Sequence, residues 1–338
     1  MSVEDQRLED GRAVTFIGKL RVEAEEAFSR LKARFLELGY VPLLREHEKG
    51  ERQIVVAVRG KMQSALVQRP WIHLALLMAT AITTVFAGGR YAGMLAGDPD
   101  PSLEKSVGYG VPFAAALLLI LGAHELGHYI QARRHRLPVT LPYFIPVPFG
   151  LGTFGAFVQM RGPVENRRAL FDVGVGGPIA GLLVAVPLFI AGLVMSVVTD
   201  QPAPPTRSML MDLLIALFLP DATTNGILLN PVLLAARFGL VITAINLLPV
   251  GQLDGSHIAY AALGRRWARW IGNLAVVILF VLGLISSPIW LVWMGFALLS
   301  GVHHAAPMND ITPLDLRRTM AFLATAVLFL SLFSATPF

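Results

Sequence analysis

The chain has 338 residues, of which 54% are hydrophobic and only 15% charged, and its mean hydropathy is +0.60. Soluble domains carry about 25% charged residues, so the apolar surplus, gathered into long blocks, marks a membrane protein. The absence of cysteine excludes a disulfide framework and any thiolate metal or nucleophile site, so a transition-metal centre must be built from His, Asp or Glu. A formal net charge of +5 is modest. In a membrane protein it reflects arginines in cytoplasmic loops, and no nucleic-acid partner is expected.

Residues 1–69 are polar and mixed in charge. Residues 14–17 read as a strand. Residues 22–38 read as an amphipathic helix with Ala24, Ala27, Phe28, Leu31, Phe35 and Leu38 on one face, and Gly39 is its stop signal. Residues 41–44 and 53–58 read as a hairpin around the turn HEKGER. The pattern predicts a small β-α-β-β cytosolic module over 1–69. The N-terminus has no basic stretch leading into an apolar run, so no cleavable signal peptide is expected.

The second unit, 70–338, is membrane-like. Apolar blocks fall near 71–88, 109–131, 171–198, 232–249, 270–286, 288–302 and 319–335, which predicts about six or seven spans. Arg133, Arg134 and Arg136 follow the second block, and Arg161, Arg167 and Arg168 precede the third. Arg265, Arg266 and Arg269 lie between the fourth and fifth, and Arg317 and Arg318 precede the last. All fall on the side of the N-terminal module, whereas the loops 90–107 and 199–230 are acidic. The positive-inside rule then directs the N-terminus to the cytoplasm, as in a bacterial-type inner membrane.

Residues 124–128 read HELGH. In a helix, positions i and i+4 share a face, so His124 and His128 can reach one cation. Zn²⁺ suits two neutral imidazoles and a carboxylate, and Glu125 between them can take a proton from water. The motif closes the otherwise apolar run VPFAAALLLILGA, where three ionisable residues are costly and functional by default.

Residues 138–163 are apolar but carry five prolines and several glycines, so they cannot form a regular span. Residues 155–160 read as an exposed strand, with Gly150 and Gly152 leading into it. A re-entrant β-hairpin here, with Gly152 and Gly155 as substrate-binding or site-supporting positions, would offer an edge for an unwound substrate, or it would simply plug the bundle. The run GVGGPIAG at 174–181 points to close helix packing rather than ligand contact.

Two histidines leave a metal site one protein ligand short. In NLLPVGQLDG, residues 246–255, Pro249 breaks the helix and Gly251 and Gly255 permit sharp turns. Irregular backbone at membrane depth needs a protein or water cavity around it, which suits a buried site. Asp254 is the best third ligand on these grounds, with a helix N-cap as its alternative role. His257 and the pair His303–His304 are rival ligands. Asn246 offers an amide to a ligand, a loop or a substrate.

Together the two motifs resemble the site-2 protease family of intramembrane zinc metalloproteases, which carries HExxH on one span and an Asn-Pro-Asp-Gly-type motif on a later one. His124, Glu125 and His128 match the first, and Asn246, Pro249, Asp254 and Gly255 the second. Ser256 stands where the family more often has a second glycine. The similarity covers residues 70–315. It implies Zn²⁺ held by His124, His128 and Asp254, with Glu125 as catalytic base. It also implies a transmembrane or membrane-adjacent protein substrate, a hairpin that binds it, and zinc near the cytoplasmic face. The fold expected is an all-α polytopic bundle with a re-entrant β-hairpin and an N-terminal α+β module. A metal-ion transporter or a catalytically inactive scaffold are the alternatives, and the sequence leaves the oligomeric state open.

Overall fold

The structure, a computed structural model, describes residues 1–9, 13–47, 52–60, 69–95, 97–98, 100–202, 208–222, 225–299 and 306–335. The middle of the HEKGER turn and the pair His303–His304 lie outside the described residues.

The N-terminal residues form a four-stranded antiparallel sheet backed by one helix. Strands β1 (Ser2–Glu9), β2 (Ala13–Lys19), β3 (Tyr40–Glu46) and β4 (Gln53–Arg59) stand in the order β1-β2-β4-β3. Helix α1 (Ala24–Glu37) buries Ala27 and Phe28. The arrangement therefore has one strand more than the β-α-β-β pattern. That strand, SVEDQRLE, is an edge strand of mostly polar side chains and lacks the apolar alternation by which strands are read. Phe28, Leu44, Val55 and Met308 make one apolar cluster, so the sheet packs onto the distant loop that carries Met308.

Helix α2 (Pro70–Thr83) starts with proline at its first turn, where no backbone donor is needed. It runs through a π-helical turn, Thr84–Gly88, into α3 (Gly89–Leu95). Helix α4 (Leu103–Arg134) is capped by Ser102 and ends on Arg133 and Arg134, which suit the negative end of the helix dipole. A hairpin of β5 (Tyr143–Pro146) and β6 (Thr153–Phe157) follows. Its second strand begins and ends earlier than the 155–160 reading. Helix α5 (Arg167–Val194), capped by Asn166, leads into β7 (Val197–Pro202), α6 (Met209–Phe218) and β8 (Asn225–Leu228); β7 and β8 pair antiparallel.

Helix α7 (Pro231–Asn246) is capped by Asn230. After the turn at 247–253 comes α8 (Asp254–Ile285), broken at Gly264 by φ 80°, ψ 174°, a region open essentially to glycine alone. Arg167 donates from Nε to the carbonyl of Ala261 at 2.8 Å and from Nη2 to that of Ala262 at 3.1 Å. It thereby satisfies carbonyls that the break leaves without helical partners. Helices α9 (Ile289–Leu299) and α10 (Leu316–Leu332) complete the chain.

The protein is mostly helical. Four helical runs are long and apolar enough to cross a membrane: Pro70–Met94, Leu103–Arg134, Arg167–Val194 and Asp254–Ile285. Helices α7, with 16 residues, and α9, with 11, are apolar but shorter. A 16-residue helix rises about 24 Å, less than the ~30 Å hydrocarbon core. Outward faces are apolar too, with Leu274, Val277 and Leu284 exposed on α8 and Leu74, Met78 and Ile82 on α2. Water does not tolerate such contiguous surfaces, but acyl chains do.

Candidate metal centre

Helix α4 carries His124, Glu125 and His128 inward, at 5%, 7% and 7% exposure. Its i, i+4 spacing sets the two imidazoles one turn apart on a single face, with Nε2 to Nε2 at 3.1 Å. The third member arrives from α8. The chain reverses through 247–253, where the amides of Val250 and Leu253 donate to the carbonyls of Leu248 and Val250. Gly255 lies so close under this turn that a Cβ there would stand 2.0 Å from the Leu247 carbonyl oxygen. Asp254 follows the capping position, held by Leu253, so the N-cap role read from the sequence is not the one it takes. Its Oδ2 is 3.1 Å from His124 Nε2 and 3.3 Å from His128 Nε2.

Among the described residues, His124, His128 and Asp254 are the one group of three such side chains whose ligand atoms all lie within 4.8 Å of one another. The rival His257 is not in this group. The donor set fits zinc. Ligands at about 2.0–2.1 Å in a tetrahedron stand about 3.3–3.4 Å apart, and the three separations here are 3.1, 3.1 and 3.3 Å. Charge fits as well. Glu125 and Asp254 are two carboxylates set into an apolar interior, and a divalent cation balances them.

The surroundings orient these groups. His128 Nδ1 donates to the carbonyl of Val173 on α5 at 2.8 Å, which leaves Nε2 aimed at the group. Helix α5 comes this close because it is glycine-rich there. A Cβ at Gly177 would stand 2.1 Å from His128 Nε2, and one at Gly181 3.3 Å from His124 Nδ1. The run 174–181 therefore packs closely, as expected, and also leaves room for both rings. The backbone amide of Val158, just past β6, lies beside the Glu125 carboxylate, so the hairpin ends next to this side chain.

Asn246 stands at the edge of the group, with Nδ2 3.4 Å from His124 Nε2. Pro249 sits in the reversing turn. Gly152 (φ +83°) packs against the end of α2 and the π-helical turn, where a Cβ would meet Thr84 Cα at 2.3 Å and Thr83 Oγ1 donates to its carbonyl at 2.7 Å. Gly155 (φ +97°) has open space where a Cβ would be. The sequence reading missed Val173, Gly177, Gly181 and Val158 as neighbours of the site. For the two glycines the signal was present in their spacing of four, which puts them one above the other on a helix.

The family model described as peptidase family M50 matches residues 112–286, a stretch containing His124, Glu125, His128 and Asp254. "Probable zinc metalloprotease EGY2, chloroplastic" of Arabidopsis thaliana is 30% identical over 344 residues, covering 96% of this chain and 60% of that protein. "Probable zinc metalloprotease EGY1, chloroplastic" of Oryza sativa subsp. japonica is 27% identical over 364 residues, covering 94% and 62%. "Probable zinc metallopeptidase EGY3, chloroplastic" of Arabidopsis thaliana is 25% identical over 349 residues, covering 94% and 60%. The chain thus spans about 60% of the length of these curated relatives. No solved structure matches.

Proposed function

The chain belongs to peptidase family M50, that of the site-2 proteases, and on that premise we propose that it is an intramembrane zinc metalloprotease. The observation that carries this reading is the His124–His128–Asp254 group, its two imidazoles buried, at tetrahedral spacing, with Glu125 beside it. His124 and His128 through Nε2, and Asp254 through a carboxylate oxygen, would hold the ion. Zinc, when bound, makes a water acidic enough to ionise near neutral pH and polarises the peptide carbonyl. Glu125 accepts the proton released as water adds and returns it to the leaving amine. Asn246, with its amide at the rim, is placed to donate to the substrate backbone.

The substrate is a transmembrane or membrane-adjacent protein. In a helix the scissile carbonyl is already hydrogen-bonded, so the segment must be extended before hydrolysis. The β5–β6 hairpin supports such a step, because its second strand runs toward Glu125 and offers edge pairing to an extended chain. In this reading the hairpin re-enters the bilayer, and the shorter helices α7, α9 and α10 join the four long ones in a bundle of about six or seven spans. Residues 1–69 form a module on the arginine-rich, cytoplasmic side, which the metal site also faces, and 70–338 form the protease domain.

The test is cleavage of a model transmembrane substrate by purified protein in liposomes. Wild-type protein cleaves it, and Glu125→Gln retains stoichiometric zinc and does not. Zinc flux across the liposomes that persists in Glu125→Gln, without proteolysis in either protein, overturns the reading in favour of a transporter.

A further inference from the structure

Asp254 opens a helical piece that ends at Gly264, where the backbone leaves helical geometry. A helix this short has little intrinsic stability, so outside contacts fix where its first residue points. One is the Arg167 cap on Ala261 and Ala262. Another comes from Tyr260, buried at 3% exposure. Its hydroxyl donates to Asp310 Oδ2 at 2.8 Å.

Asp310 is itself held from two sides. The segment before it pairs with β3: the Leu44 amide donates to the Met308 carbonyl at 2.7 Å, and the Asp310 amide to the Leu44 carbonyl at 3.0 Å. Its opposite edge joins the residues preceding α5, with the Met308 and Asn309 amides donating to the carbonyls of Val164 and Glu165, each at 2.8 Å. Arg45 of β3 donates to the carbonyls of Pro307 and Met308, at 2.5 and 3.0 Å. The second carboxylate oxygen, Asp310 Oδ1, is buried with no hydrogen-bond partner among the described residues, in the field of Arg45, Arg167 and Arg265. Burying a carboxylate this way is costly, and the hydrolytic mechanism does not use it.

The geometry points to Tyr260 and Asp310 as a positioning pair that sets Asp254 toward the two imidazoles and ties its placement to the N-terminal module. The inference rests on the zinc reading above. It assigns the module a part in building the metal site, through Arg45, the 306–310 segment, Asp310 and Tyr260. None of these groups touches the reacting atoms. They act through the short helix, whose length from Asp254 to Tyr260 is about 9 Å.

The experiment uses the full chain in nanodiscs and reads zinc affinity by chelator competition, together with the visible spectrum of the cobalt(II)-substituted protein. Tyr260→Phe removes only the hydroxyl. Its zinc dissociation constant rises about three- to tenfold, and its cobalt bands shift because the carboxylate is displaced. Arg45→Gln, remote from the metal, moves both readouts in the same direction. Asp310→Asn keeps an acceptor for the tyrosine and stays within about twofold of wild type. The double variant Tyr260→Phe/Asp310→Leu is no weaker than the weaker single variant. A wild-type chain that holds no zinc overturns the metal reading and this inference with it. A zinc-holding wild type matched in affinity and cobalt spectrum by Tyr260→Phe overturns the inference alone.

Discussion

The His128 ring is anchored by the backbone of a neighbouring helix, its Nδ1–H donating to the carbonyl of Val173 at 2.8 Å. A carbonyl accepts only a protonated nitrogen, so this contact selects the tautomer and leaves the Nε2 lone pair facing Asp254 and His124. The position of α5 is therefore part of the proposed metal site.

Gly177 tests that dependence. A Cβ there would stand 2.1 Å from His128 Nε2, so Gly177→Ala must push the ring or the helix aside. Zinc affinity is expected to fall about 10–100-fold, measured by dye competition on folded protein. Gly295→Ala, with nothing within 4 Å of the added carbon, is expected to leave it unchanged.

Ligand and base roles separate by metal content. Asp254→Ala removes one of the three donors, and zinc measured by mass spectrometry is expected to fall below one-tenth of stoichiometric. Glu125→Gln is expected to keep its zinc and lose about 10²–10⁴-fold in cleavage rate. A chelator should abolish wild-type cleavage and added zinc restore it. If Asp254→Ala held zinc as tightly as wild type, the assignment of the third ligand would be wrong.

The hairpin makes a different prediction. Gly152 is packed against Thr83 and Thr84 at positive φ, so Gly152→Val displaces the β5–β6 turn from α2. Zinc content is expected to stay at the wild-type level while kcat/KM for a membrane substrate drops about tenfold or more. An unchanged kcat/KM would remove the hairpin from substrate handling.

At the break in α8, stability is the readout. Gly264→Ala forces a side chain into φ 80°, ψ 174°, at an expected cost of about 1–3 kcal/mol. Arg167→Met strips the donors from Ala261 and Ala262, at about 2 kcal/mol. Both are expected to lower the thermal midpoint in detergent.

What could be read from the sequence followed the range of the interactions. HELGH fixes its own geometry within one helical turn, so the placement of His124 beside His128 needed no knowledge of the fold. The broken helix before Asp254 was legible from Pro249 and Gly255, whereas its preference over His257 as the third ligand came from the family resemblance. The contacts from Val173 and Gly177 depend on how α5 crosses α4, which the glycine spacing suggested but could not locate. Strand β1 went unread because an edge strand has no apolar period. The length of α7 was obscured because the apolar block ran on through Leu247 and Leu248 into the turn. The bridge between Leu44 and Asn309 joins segments with no shared local signal.

That bridge bears on how the protein is made. The ribosome completes β3 early, yet the backbone that covers its outer edge is made only after α4 and α8. Until then Leu44 presents an unpaired amide and carbonyl, the kind of exposed edge that invites pairing with foreign chains. A nascent polypeptide already possesses both imidazoles and the carboxylate before this closure. The side chains of the proposed metal site therefore precede the contact that fastens the sheet to the 306–310 segment. Ribosome-arrested chains ending near residue 300 should be digested within β3 by an added protease, and the released full chain should resist it.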